Sequence, residues 1–277
     1  MESPPPSARE LDSYRDQADR FIAEELEEYY LHFAGLKKEF ELEAIYERHA
    51  ELMTLGAVQR VGAAVDGTRN RELARFACEG YLANLTREHA ERLAELEASL
   101  ETTVDGETVP FRMLVPAISN EPDRARRERL ERTRNELTVE HLNPIYLEAA
   151  EVQRAAVPDL GAATYLELYR DRFAYELDGL AAQCRALLES TESLFEHHLD
   201  RALRERVGVG LAEAERWDVR RLFRASNWDA MFTAEKMLPA LTATLGELGI
   251  SLDRQPNVSL DVEQRETKSP RAFSVDL

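Results

Sequence analysis

One run of this chain leaves little freedom in what it can become. Leu177, Leu180/Ala181, Cys184, Leu187/Leu188, Thr191, Leu194/Phe195, His198/Leu199 and Ala202/Leu203 recur at steps of three and four, and Gly208 and Gly210 follow as stop signals. That spacing sets one apolar face on a helix of about seven turns. The spacing predicts that this face is buried against other helices, because a helix so patterned gains its stability from packing.

The same period runs through most of the sequence. Leu11, Tyr14, Ala18, Phe21/Ile22, Leu26, Tyr29 and Phe33 mark a first helix closed by Gly35; a second pattern runs from Phe40 to Gly56, and a third from Leu73 through Leu85 and His89 to Leu100. The stretch "TTVDGETVPFRMLVPAIS" at 102–119 interrupts them, with Asp105-Gly106 as a turn signal and Pro110 and Pro116 opposing helix, and reads as an extended connector. Helix resumes near Pro122, with a break expected at Asn143-Pro144. In "SNWDAMFTAEKMLPALTATLGELGI", Ser226 and Asp229 form a capping-box-like start and Pro239 is expected to bend the helix. Only the end changes period: "NVSLDVEQRE" alternates Val258, Leu260 and Val262 with polar neighbours, and "RAFSVDL" follows, reading as two strands over 258–265 and 271–277. The expected fold is therefore mainly α, a long-helix array with the start of a small β-sheet at the C-terminus. Its expected divisions are a flexible Pro-rich tail at 1–9, a helical body at 10–257, and the first strands of a sheet at 258–277.

Composition narrows the function classes. The 277 residues are 44% hydrophobic and 32% charged, as suits a globular chain, and the formal net charge of -18 repels nucleic-acid phosphates. The cluster "RARRER" at 124–129 is interleaved with Glu and is expected to be a solvated helix face with ion pairs four residues apart. No run approaches the roughly 18 apolar residues of a membrane span, and the start lacks the pattern of a secretory signal. Two cysteines, Cys78 and Cys184, without metal-type spacing fit a cytoplasmic location.

Few residues advertise chemistry. The six histidines include no H-E-x-x-H pair, in which two imidazoles one turn apart hold zinc while the Glu activates water. His49, His89 and His198 fall on apolar stripes and read as core or boundary histidines, and Cys184 reads as a buried, inert thiol. Acidic pairs such as Glu24-Glu25 and Glu27-Glu28 read as solvated surface. Trp217 and Trp228 read as core fillers, and Asp218 and Asp229 as helix-start residues.

Three segments in order carry a more specific likeness: "RWDVRRLFR" (216–224), "FTAEKMLPALTATLGELGI" (232–250) and "DVEQRETKSPRAF" (261–273), joined upstream by "DGETVPFRMLVPAISNEPDRARRERLE" and "YLELYRDRFAYELDGL". Together they resemble the thimet oligopeptidase and oligoendopeptidase F family of zinc metallopeptidases over most of residues 20–277. The resemblance implies the N-terminal helical half of such an enzyme, whose final strand belongs to a sheet beside the active-site cleft. It further implies that the H-E-x-x-H helix lies in a catalytic half beyond Leu277, so that no catalytic, metal or substrate-binding residue can be assigned to a position in this sequence. On this reading zinc is the cofactor of the complete enzyme and is not bound by this chain. The partners are short peptides and the catalytic half, with no nucleic acid and no membrane, and the chain alone is inactive. A non-catalytic helical interaction or scaffold module derived from the same fold is the alternative.

Overall fold

The computed structural model describes residues 6–66, 70–173, 176–263, 265, 267–269, 273 and 274. The architecture is mainly α, as expected. The helices are α1 (Ala8–Phe33), α2 (Leu42–Arg48), α3 (Leu55–Gly62), α4 (Arg71–Leu85), α5 (Arg87–Ser99), α6 (Leu114–Asn120), α7 (Arg124–Leu137), α8 (Asn143–Ala156), α9 (Tyr165–Phe173), α10 (Leu177–Arg206), α11 (Arg216–Arg224) and α12 (Ala234–Glu247). One hairpin, β1 (Glu101–Val104) with β2 (Glu107–Pro110), lies between α5 and α6. By contact density the chain forms two units, one of residues 1–112, 133–192 and 266–277, the other of residues 113–132 and 193–265.

In the first unit α1 starts earlier than its apolar stripe suggests. The Ser7 hydroxyl accepts from the Glu10 N–H, and the Glu10 carboxylate accepts from the Ser7 N–H at 2.7 Å, a capping box inside what reads as a tail. Two apolar clusters fill the unit. One gathers Leu11, Val58, Val61, Ala77, Cys78 and Leu82 with Val157, Leu160 and Leu168; the other gathers Phe21, Leu42, Ile45, Tyr46, Leu52 and Met53. The pattern from Phe40 to Gly56 is not one helix but α2, a 3-10 turn at Ala50–Met53 and the start of α3. The pattern from Leu73 to Leu100 divides at Thr86, whose hydroxyl donates to the Leu82 and Ala83 carbonyls.

The sheet lies elsewhere than its expected position. The connector at 102–119 carries it: Asp105 (φ 53°) and Gly106 (φ 85°) both take the left-handed region, the requirement of a type I′ hairpin turn, and Pro110 pairs only at the end of the ladder. At the C-terminus residues 258–263 and 265 form no strand, and residues 271, 272 and 275–277 of the second expected strand lie outside the described residues. What the terminal segment does instead is return to the end of α1. The Ser269 N–H donates to the Phe33 carbonyl at 2.8 Å, the Thr267 hydroxyl donates to the Gly35 carbonyl, and the Phe273 ring sits 5.5 Å from that of Phe33. Gly35 (φ 69°) permits this approach, since a Cβ there would lie 2.7 Å from the Lys268 backbone nitrogen.

The break expected at Asn143-Pro144 is absorbed without ending the helical path. A π-helical turn at Thr138–Leu142 joins α7 to α8, and Pro144 occupies the first turn of α8, where its missing N–H costs nothing. Among the described residues no helix is long and apolar enough to cross a membrane.

Candidate functional site

In the second unit, α7 and α11 meet through buried charge. Asp218 is wholly buried (0% exposed), and Arg127, facing it, is 2% exposed. The Arg127 Nη2 donates to Asp218 Oδ1 at 2.8 Å, while Arg124 donates through Nε and Nη2 at 2.9–3.2 Å. The same carboxylate caps α11 by accepting from the Glu215 N–H. Burial by itself pushes the Asp218 carboxyl up; the bonds from Arg124, Arg127 and the Glu215 N–H outweigh it and hold the group below the usual aspartate range. One turn further along α7, Glu131 (1% exposed) lies 3.2 Å from the Arg216 Nε and 3.3 Å from the Arg220 Nε. The guanidinium of Arg127 also closes the loop before α7 by donating to the Glu121 and Pro122 carbonyls.

This arrangement corrects two readings. "RARRER" is not only a solvated face: Arg124 and Arg127 bond to a residue more than ninety positions away. Asp218 does sit in the first turn of α11, as expected, but it also receives both arginines. Asp229 pairs with Arg224 rather than starting a helix, and α12 begins only at Ala234. Trp217 is half-buried and Trp228 is exposed, so neither fills a core.

In the first unit a groove of about 690 Å³ opens between α2, α5 and the loop before α2, lined by His32, Lys38, Phe40, Glu43, Glu91 and Glu95 among others. Burial and the neighbouring charge of Glu43 push the Glu91 carboxyl up. The His32 and Phe40 rings meet at a tilt, 4.8 Å apart, on its wall. The lining is anionic with an aromatic edge, a surface suited to cationic groups. The acidic pairs of α1 are only partly solvated surface: Glu27 is exposed, as expected, but its neighbours are engaged. Glu28 is buried and accepts from the Lys37 ammonium at 2.7 Å and from the Glu41 N–H at 2.8 Å, Glu24 pairs with Arg48, and Glu25 accepts from the Tyr46 hydroxyl at 3.0 Å. Burial pushes the Glu25 carboxyl up despite that bond.

The histidines and cysteines are dispersed. His49 lies beside Glu24 at 3.2 Å and His89 beside Glu148 at 3.6 Å, both largely covered, as boundary histidines should be. His198 is exposed, 3.1 Å from Arg201. Cys78 is buried, whereas Cys184 is exposed, opposite to its expected state. Among the described residues no group of three or more His, Cys, Asp and Glu side chains is placed to hold a metal ion.

Comparison of the chain with protein-family models, with curated proteins and with solved structures finds no match.

Proposed function

We propose that this chain is the helical, cleft-walling portion of a cytoplasmic zinc metallo-oligopeptidase that hydrolyses short peptides. The observation that carries the reading is the ordered likeness of 216–224, 232–250 and 261–273, with the segments upstream, to the helical half of the thimet oligopeptidase and oligoendopeptidase F family. Two of those segments, "EPDRARRERLE" and "RWDVRRLFR", are tied together in this chain through Asp218, Arg124 and Arg127. Metal ligands and the water-activating Glu come from a catalytic half outside these residues. The part played by this chain is steric: walls that admit short, unstructured peptides and exclude folded proteins.

The test is to read the frame downstream of Leu277, express the complete product, and assay cleavage of short unstructured peptides with and without a zinc chelator. Expected are an H-E-x-x-H sequence in the continuing frame and chelator-sensitive cleavage, with no zinc retained by the 277-residue chain on elemental analysis. A frame that closes at Leu277, or a complete product that leaves such peptides intact when zinc is supplied, overturns the reading. The second reading, a non-catalytic helical interaction module, draws on the long exposed apolar face of α10 and predicts that closed frame.

A further inference from the structure

The face of α10 expected to be buried is covered at its end, where Leu203 is buried, but is open from Leu180 to Phe195. Leu180, Leu187, Leu188, Leu194 and Phe195 are 55%, 62%, 68%, 59% and 59% exposed. Their spacing is finer than a general amphipathic stripe. Leu177, Leu180, Cys184, Leu187, Thr191 and Leu194 alternate steps of three and four without interruption, the 3.5-residue repeat that keeps one seam facing a partner helix, with Leu at every second place.

We propose that α10 is the contact surface for a second copy of this chain, the two helices packing antiparallel along that seam. Two features of the pattern select this occupant and orientation. First, the positions flanking the seam carry a single acidic charge: Ala181, Leu188 and Phe195 lie on one side, and Glu176, Gln183, Ser190 and His197 on the other, where reversing one copy sets Glu176 beside the other copy's His197 and not beside a second Glu176. Asp178, Arg185, Glu189, Glu192 and Glu196 all fall on the far side of the helix. Two chains of net charge -18 thus meet where neither presents a like charge to the other. Second, the seam is self-complementary under a two-fold axis, as an isologous contact requires. Reversing one copy layers Leu177 on Leu194, Leu180 on Thr191 and Cys184 on Leu187, and brings the Leu188 and Phe195 flanks of the two copies together. A parallel pair would instead set Leu188 against Gln183 and Phe195 against Ser190, leaving apolar side chains beside polar ones. The seam is only about 25 Å long, so association belongs to the weak, small-interface class. This contact does not depend on the peptidase reading.

Sedimentation velocity of the 277-residue chain over about 1–100 µM is expected to show a rise toward twice the 31.6 kDa chain mass. Leu187→Glu with Leu194→Glu, both at exposed positions, should leave the far-UV circular dichroism unchanged and raise the dissociation constant at least about a hundredfold. In a Cys184→Ser background, a Leu177→Cys preparation and a Leu194→Cys preparation should form a disulfide-linked dimer only when mixed. A monomer at the highest concentration overturns the proposal, as does a dimer indifferent to L187E/L194E or cross-linking within either single preparation. A longer product that stays monomeric while shielding Cys184 from thiol reagents also overturns it, because a different segment then covers α10.

Discussion

Asp218 spans ninety residues of sequence with one carboxylate, binding Arg124 and Arg127 while capping its own helix. Removing its charge strands the Arg127 guanidinium in a site 2% exposed, and an unpaired buried charge costs far more than the intact pair contributes. Asp218→Asn is expected to destabilise the chain by about 3–5 kcal/mol at pH 7, read from the urea midpoint. Asp218→Leu combined with Arg127→Met should recover much of that loss, since an apolar pair leaves no buried charge uncompensated and the Arg124 it releases is solvated. The carboxyl lies below its ordinary value in the folded protein, so its stabilising contribution is complete above the unfolded value of about 3.9 and disappears as pH falls through the lower folded one. The parent and Asp218→Asn midpoints should therefore converge in acid. The helix-start role of Asp218 was legible in "RWDVRRLFR"; its partners were not, because nothing in a local pattern says which of many arginines will face it. Likewise Glu28 has the sequence surroundings of any surface acid, and only the approach of Lys37 and the Glu41 N–H makes it a buried anchor.

At the scale of elements, helix existence was legible and helix breaks were less so. Thr86 and the 3-10 turn at Ala50–Met53 divide patterns that are continuous in apolar spacing, because α4 must fold back on that turn to bury both. Gly80 on α4 marks the closest approach: a Cβ there would collide with the Met53 Sδ, and Met53 is buried. Gly80→Ala raises helix propensity yet is expected to destabilise by about 1–3 kcal/mol through overpacking, measured by chemical denaturation; trimming the neighbour with Met53→Ala should reduce the penalty of adding the methyl group. The β1–β2 hairpin was half legible. Asp105-Gly106 was readable as a turn, but the prolines at 110 and 116 argued against regular structure, and Pro110 escapes that argument by pairing at the ladder end.

For the molecule as a whole, the terminal segment is a tether on α1. Among the described residues its contacts include the Ser269 N–H on the Phe33 carbonyl, the Thr267 hydroxyl on the Gly35 carbonyl and the Phe273 ring on Phe33. Deleting residues 266–277 is expected to leave the far-UV circular dichroism of the helices in place. The melting temperature should fall by roughly 2–6 °C, as the loss of a hydrogen bond or two and a partly exposed ring contact implies. Loss of the helical signal would show that this segment organises the first unit rather than fastening one end of it.

What the sequence by itself determined is local or compositional: the 3.6-residue stripes that make the chain mainly α, the stop at Gly35, the Asp105-Gly106 turn, and the lack of H-E-x-x-H within 277 residues. Each depends on backbone preference or on the spacing of a few neighbouring residues. Tertiary structure alone decided burial. The same periodic pattern leads to a filled core around Cys78 and Leu82 and to an open face around Cys184 and Leu187. It also decided that 258–263 form no strand, since alternation predicts a strand only where another strand supplies its hydrogen bonds. A period states which side of an element is apolar; whether a neighbour arrives to cover that side is set by residues far along the chain.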